Sequence, residues 1–563
     1  GWWVALAANL AVSLGLVAWL CSAELQYPLN SAQATVGIAY FTALLCWAEA
    51  ELMVHVALKL GYRLVDGTSP STPRAGENKH LVDEGGDDIS EGEDLDPSQD
   101  PVLPITEKTM NGLRACAELS AIMVLMYVCD RTTLVGKGNK LQSKAGFWGV
   151  FLLCLVLSCL GLRRTKEAPP PDDQHCHVKP LQREQTEEWK GWMQVMFLLY
   201  HYWVATEMYN AIRIYIAAYI WMTGFGNFSY YYIKRDFGLP RFVQMMWRLN
   251  FLVVFVCLTL NNEYMLYYIC PLHTLFTIMV YATLYFGNKL NQSSPGFLVG
   301  KIVAVFVLSV VIWDVPGVFD LVFSPLQPLL GYKGDLFTMK MPIMHEWHFR
   351  SHLDHLVWIF GMVVAYSFPR LDGWVNSLDG SSSEPEKPVV RSIAITATVT
   401  AFAAWVAFVF MRAKFEYNAL HPYTSFIPIG CYIFLRNSTR WLREHVLPAW
   451  GEVGKYTLET YICQFHIWMR TTGENGNPKS ILVLVPGSFW VNFVVTTAFY
   501  LFISMRLFKV TVALKDIVVP NDVPTIMSNF AKVAAGAAAF TLVGFLTHSH
   551  FSIAVVSQVV VSA

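Results

Sequence analysis

Charge is scarce in this sequence: Asp, Glu, Lys and Arg make up 15% of its 563 residues, against roughly 25% in soluble globular chains. That scarcity excludes a water-facing surface over most of the length. The net charge of −1 gives no sign of a nucleic-acid-binding face. Several catalytic signatures are also missing. There is no G-x-S-x-G elbow, no G-D-S followed by D-x-x-H, and no G-x-x-x-x-G-K-[ST] loop, so serine-esterase and nucleotide-hydrolysing mechanisms have no support. No C-x-x-C pair occurs among the 11 cysteines, and those inside apolar runs (Cys46, Cys154, Cys257, Cys431) read as buried free thiols. An opening methionine and a basic n-region are absent too. The first run, Gly1 to Leu20, therefore reads as a membrane span and not a cleaved signal, in a chain expected to lack an amino-terminal piece.

What the chain does have is apolar length: 54% of its residues are hydrophobic. A membrane helix needs about 20 such residues, and about fourteen runs reach or approach that, from Trp3–Cys21 to Ala534–Leu546. The runs include Trp192–Trp221, Leu353–Phe368, Ile393–Met411 and Tyr423–Leu435, of which Leu353–Phe368 and Tyr423–Leu435 are short enough to be re-entrant or buried. The expected fold is an all-α polytopic membrane protein, with about 13–14 transmembrane or re-entrant helices around a polar cavity. Its expected segments are amino-terminal spans (1–61), an acidic disordered loop (62–108) and further spans (109–163). A polar loop (164–190), a membrane core (191–520) and one or more carboxy-terminal spans (521–563) follow. Neither polar segment is long enough for a catalytic domain, so the chemistry is expected in or near the membrane.

Ionisable groups inside spans are costly and usually face one another or a water-filled cavity. They concentrate in residues 341–361, MPIMHEWHFRSHLDHLVWIFG. On a helix, His345, His348, His352 and His355 share one face, and Arg350 with Asp354 forms an i, i+4 pair on the other side. Three readings stand. The imidazoles could converge on a metal, although H-E-x-H is not the H-E-x-x-H zinc spacing. They could be interfacial side chains beside Trp347 and Trp358. Or an imidazole takes a proton from an attacking hydroxyl while Arg350 holds a phosphate or carboxylate. A weaker metal candidate is His175-Cys176-His177 in the polar loop. Other polar stretches are Glu416–Ser425, with Asn418, His421 and Tyr423, and Glu459–Trp468, where Glu459, Cys463 and His466 share a helical face. In His201–Arg213, Glu207, Asn210 and Arg213 share a face, which a buried Glu–Arg pair would explain. Asn261–His273 carries Glu263 and His273, and Arg470 follows the His466 stretch.

At these stretches the chain resembles the plant reduced-wall-acetylation proteins, part of a multi-span acyltransferase family. That family includes fungal capsule O-acetylation proteins and the animal sialic acid O-acetyltransferase. The matching segments are YHYWVATEMYNAIRIYIAAYIWMTGFGNFSYYYIKRDF (200–237), MMWRLNF (245–251) and NNEYMLYYICPLHTLFT (261–277). They continue with MHEWHFRSHLD (344–354), YNALHPYTSFIPI (417–429) and GKYTLETYICQFHIWMR (454–470), within residues 190–520.

The resemblance implies O-acetylation of wall polysaccharide at the Golgi membrane, with acetyl-CoA as donor and no permanently bound cofactor. It nominates His345, Glu346, Trp347, His348, Arg350 and Asp354 as site residues, with His421 and His466 next. His352 and His355 depart from the plant pattern, which leaves His345 and His348 as the preferred imidazoles. Asn418, Tyr423, Arg470, Glu207, Arg213, Glu263 and His273 are expected to bind substrate, and Arg350 or Arg470 to meet the donor's phosphates. Expected partners are acetyl-CoA, a polysaccharide or lumenal acetyltransferase, and membrane lipid. Two mechanisms remain open: transfer by the chain itself, with His348 or His466 as base or acyl carrier, or transport of acetyl-CoA or acetyl for separate lumenal enzymes.

Overall fold

The apolar runs fold as helices because, away from water, a helix satisfies every backbone group within its own segment. A computed structural model describes residues 2–22, 29–60, 62–65, 102–168, 178–334, 340–379, 386–471 and 473–562. In chain order the main helices begin with α1 (Trp2–Ser22), α2 (Ser31–Lys59), α3 (Glu107–Arg131), α4 (Lys144–Leu160), α5 (Arg183–Tyr202) and α6 (Tyr209–Lys234). Next come α7 (Leu239–Leu260), α8 (Ile269–Tyr285), α9 (Pro295–Asp314), α10 (His345–Asp354), α11 (Val357–Ser377) and α12 (Glu386–Trp405). The series ends with α13 (Lys414–Thr424), α14 (Phe426–Asn437), α15 (Pro448–Lys455), α16 (Thr457–Cys463), α17 (Phe489–Val518) and α18 (Val523–Ser562). Seven helices of the described residues are long and apolar enough to cross a membrane. The fold is all-α and polytopic, with seven short strands, β1 (Arg63–Val65) to β7 (Pro478–Val483).

Three boundaries differ from the apolar runs. Trp192–Trp221 is interrupted after Tyr202, because Val204 takes a left-handed φ of 50° and a 3₁₀ turn covers Thr206–Met208. Leu353–Phe368 divides between the end of α10 and α11. The 62–108 stretch holds β1 and β2 (Val102–Thr106), paired in parallel, before α3 starts at Glu107. The acidic residues between those strands, and His175-Cys176-His177, lie outside the described residues.

Two compact units form. One comprises Gly1–Ala23, Leu29–Ile122 and Gly536–Ala563. Inside it, Val17, Ala34 and Ile38 pack against Phe540 and Val543, and Thr42 donates to the Ser13 hydroxyl at 3.1 Å. The other comprises Glu24–Pro28 and Met123–Ala535 and holds the candidate site.

In this larger unit, glycines set the closest helix crossings. A Cβ on Gly191 of α5 would collide with the Trp450 carbonyl of α15, and one on Gly454 of α15 with the Glu187 carbonyl of α5. Gly224 of α6 and Gly361 of α11 mesh the same way, against the Trp358 and Trp221 carbonyls. Small residues let main chains touch, which replaces the missing hydrophobic drive between helices in lipid.

Polar contacts sort the larger unit into two ends. At one end, β4 (Arg163–Arg164) pairs with β5 (His445–Val446), Gln182 donates to the Arg443 carbonyl at 2.7 Å, and Gln244 donates to the Val519 carbonyl at 3.2 Å. At the other end, Arg131 donates to the Leu260 carbonyl at 3.0 Å, Tyr332 to the Asn475 carbonyl at 2.9 Å, and Lys140 to the His201 carbonyl at 2.9 Å.

Candidate functional site

A cavity of about 710 Å³ opens between the first half of α5, the middle of α6, the start of α7, α8 and the α15–α16 junction. Its rim is cationic: Arg183, Lys190, Arg241, Arg248 and Lys455 all line it. Its deep wall is uncharged and polar, with Gln194, Asn227 and Thr277 buried, and His273 placed where its Nδ1 lies 2.6 Å from the Thr223 hydroxyl. Not every rim cation is free. Arg248 is paired with the fully buried Glu459, and Arg183 lies 3.2 Å from Glu187. Arg241 sits 4.2 Å over the Tyr230 ring. The arrangement is a positively charged opening above a neutral, hydrogen-bonding shaft that ends beside an imidazole.

Behind this shaft lies a buried charge cluster. Arg213 of α6 donates to Asp354 Oδ2 at 2.8 Å, and both side chains are sealed from solvent. His421 of α13 points Nε2 at Asp354 Oδ1 from 3.6 Å, while its Nδ1 lies 2.9 Å from the Tyr417 hydroxyl. That hydroxyl donates to the Asn210 carbonyl at 3.1 Å. Among the described residues, Asp354 Oδ1, His421 Nε2 and Arg213 Nη1 are buried without hydrogen-bond partners. The Asp354 charge also reaches the His273 ring.

A second buried cluster surrounds His466, in a π-helical turn, Gln464–Trp468, that follows α16. Its Nδ1 is 3.0 Å from Asp130 Oδ2 and its Nε2 2.6 Å from the Tyr267 hydroxyl. Since a carboxylate only accepts, Nδ1 donates, and in the neutral ring Nε2 accepts the hydrogen bond of the tyrosine hydroxyl. Asp130 also accepts from the Thr471 N–H at 2.7 Å and the Thr471 hydroxyl at 2.8 Å. Arg131 donates to Asn262 at 2.9 Å, and Asn262 donates to the Tyr267 hydroxyl at 3.0 Å. Among the described residues, the side-chain polar atoms of His466, Asp130, Tyr267 and Thr471 are all engaged, whereas Arg131 Nε and Gln464 Oε1 are buried without a partner.

The sequence candidates thus separate. Asp354, Arg213 and His421 are brought together, with His273 adjoining them. The expected Arg350–Asp354 pair does not form: Arg350 Nε lies 3.2 Å from Glu346 and its guanidinium 4.4 Å over the Tyr268 ring. Likewise Glu207 is exposed, and Arg213 takes Asp354 in place of the expected glutamate. Arg470 is unavailable to phosphates, because it donates to the Val135 carbonyl at 2.6 Å, the Thr132 carbonyl at 2.6 Å and the Asp130 carbonyl at 3.3 Å. His345 and His348 stand exposed, His348 stacked 4.2 Å from the Phe319 ring. Partial burial there, with His352 beside it, pulls the His348 imidazole below its ordinary pKa. Trp347 is buried at 1% exposure, and Asn418 donates to the Tyr209 hydroxyl at 3.0 Å. Glu263 accepts from the Lys333 N–H at 2.8 Å, and Tyr423 donates to Asp314 at 2.8 Å.

Asp130, Tyr267 and Asp314 are functional-looking residues that motif reading missed. Asp130 and Asp314 share one signal, a carboxylate closing an apolar run. Among the described residues, no three His, Cys, Asp or Glu groups sit so as to hold a metal ion.

Comparison with known proteins bears directly on this architecture. Residues 38–531 match the family described as the 10 TM acyl transferase domain found in Cas1p. The chain is also 30% identical, over 423 residues, to an N-acetylneuraminate (7)9-O-acetyltransferase of Danio rerio, covering 73% of this chain and 51% of that protein. It therefore spans about half the length of that curated relative. No solved structure matches the chain significantly.

Proposed function

Because the chain belongs to the 10 TM acyl transferase family found in Cas1p, we propose that it is a membrane O-acetyltransferase that moves acetyl from acetyl-CoA to a sugar hydroxyl. The cavity is the observation that carries this reading. Lys190, Arg183 and Arg241 line its rim and suit the donor's phosphates; the neutral shaft suits the thin thioester arm. His273 on the floor receives the proton of the acceptor hydroxyl as its oxygen attacks the thioester carbon. The C–S bond then breaks, and the proton passes from the imidazole to the departing thiolate. The Asp354 carboxylate, held by Arg213, stabilises the imidazolium in between. By resemblance the acceptor is a wall polysaccharide and the membrane that of the Golgi, while the zebrafish relative's name points to sialate; both offer sugar hydroxyls.

Labelled acetyl-CoA supplied to the purified chain in detergent, with wall oligosaccharide or sialate, tests the proposal. The expected result is labelled sugar, at least 100-fold less of it with His273→Ala, and about tenfold higher KM for acetyl-CoA with Lys190→Ala. Normal transfer by His273→Ala would overturn its role.

A second reading follows from the match covering 51% of the relative: acetyl groups could be delivered to a separate transferase. Proteoliposomes that accumulate label without any acceptor, with no transfer in detergent, would favour it.

A further inference from the structure

Asp314 ends α9 and is held from two other elements. His352 Nε2 of α10 lies 3.1 Å from its Oδ1, and the Tyr423 hydroxyl of α13 donates to the same oxygen at 2.8 Å. The other oxygen, Oδ2, faces His355 Nε2 across 3.6 Å, too far for a hydrogen bond. His355 Nδ1 lies 2.6 Å from the His352 carbonyl, which can only accept, so Nδ1 carries a hydrogen; burial disfavours the charged ring, and in the neutral form Nε2 presents a lone pair. Among the described residues Nε2 has no hydrogen-bond partner, although the His355 side chain is wholly buried.

Two acceptors therefore face one another with no donor between them, a costly arrangement for buried groups. Of the groups around the gap, Tyr423 is 45% exposed and the His352 side chain 29%. The inner wall is ring surface, with Trp313 stacked at 5.7 Å and His352 at 5.1 Å from the His355 ring. We propose that Asp314 Oδ2 and His355 Nε2 form an acceptor subsite that binds two neighbouring hydroxyls of a sugar, one donated to each. Two hydroxyls on adjacent carbons span such a gap, and the flat rings suit the C–H face of a pyranose. His355 follows Asp354 directly in the chain, and Asp354 turns the other way, to Arg213 and His421. The subsite's role as an acceptor site rests on the acetyl-transfer reading given above.

Asp314→Asn is the incisive variant. It keeps the shape, but its amide can donate to His355 Nε2 and close the gap from within. His355→Phe keeps the ring and removes the lone pair. Binding of xylobiose and of N-acetylneuraminate to the full chain, by saturation-transfer NMR, reads the subsite directly. The expected result is binding of at least one sugar to the unaltered chain and at least tenfold weaker binding to both variants, with thermal protection by acetyl-CoA retained. No binding of either sugar to the unaltered chain, or binding within twofold in both variants, overturns the subsite. If His355→Phe fails to insert, Asp314→Asn, at the half-exposed end of α9, decides alone. The acetyl-transfer assay scores the reaction separately: binding without transfer refutes the reaction and keeps the subsite.

Discussion

Asp354 is the residue on which most depends, since a buried carboxylate is tolerated only while something neutralises it. Arg213 does so, and removing one partner of such a pair costs about 3–5 kcal/mol. Asp354→Leu should therefore unfold at markedly lower temperature, and the double variant Asp354→Leu with Arg213→Met should recover much of that stability without activity. Thermal melts and the transfer assay, run on the same three preparations, check both halves. Equal melting of all three would show that the pair is not a stability element. Both residues were visible in the sequence, but each was given a partner on its own stretch. Helical spacing sees i, i+4 neighbours; a membrane core pairs charges between helices instead, and spacing carries no record of that. A different carboxylate shows how pH enters. Burial opposes ionisation of Glu184, yet the Arg163 guanidinium, the Lys166 N–H and the Thr165 hydroxyl outweigh it and hold the carboxyl down at about 2. A depressed pKa stabilises the fold above the unfolded value and loses that contribution as pH falls through the folded one. Glu184→Gln should thus melt below the unaltered chain at pH 7, and the difference should shrink towards zero as pH approaches 2. A difference independent of pH would sink this account.

At the scale of elements, helix existence was legible and helix interruption was not. The long apolar runs became helices because their composition leaves no other solution in lipid. Yet the break at 203–208 turns on a left-handed Val204, a conformation that no β-branched residue advertises. The strands in 63–65 and 102–106 were equally hidden, since their neighbours are acidic and glycine-rich. The tight crossings could not be read either, because a glycine in a helix signals flexibility and contact alike. Gly191→Leu should force α5 from α15, and Gly224→Leu should force α6 from α11. Both are expected to lose folded protein in fluorescence-detected size exclusion, whereas Gly149→Leu, whose Cβ would meet nothing within 4 Å, should not. Equal yields from all three would contradict the meshing.

For the whole molecule, the sequence left orientation undecided because loops split by alternate sides carry similar numbers of Lys and Arg. Arg163, Arg164, Arg440 and Arg443 gather at the end joined by β4 and β5, while the other end holds Arg131, Lys140 and Arg470 beside Asp130, Asp314 and Glu263. With cations at both ends the positive-inside rule does not choose a side; the proposed use of cytosolic acetyl-CoA predicts that the rim faces the cytosol and Tyr423 the opposite compartment. In sealed vesicles of cytosol-out orientation, an impermeant thiol reagent should label Lys455→Cys and spare Tyr423→Cys. The reverse pattern would invert the topology.

From Glu459 to Arg470 the chain is buried without interruption. Tyr461, near one end of that rod, lines the cavity, and His466, near the other, grips Asp130. A close-packed interior has little slack. A ligand that displaces Tyr461 therefore presses on the same buried stretch that carries His466, so occupancy of the cavity on one face is expected to be felt at the other.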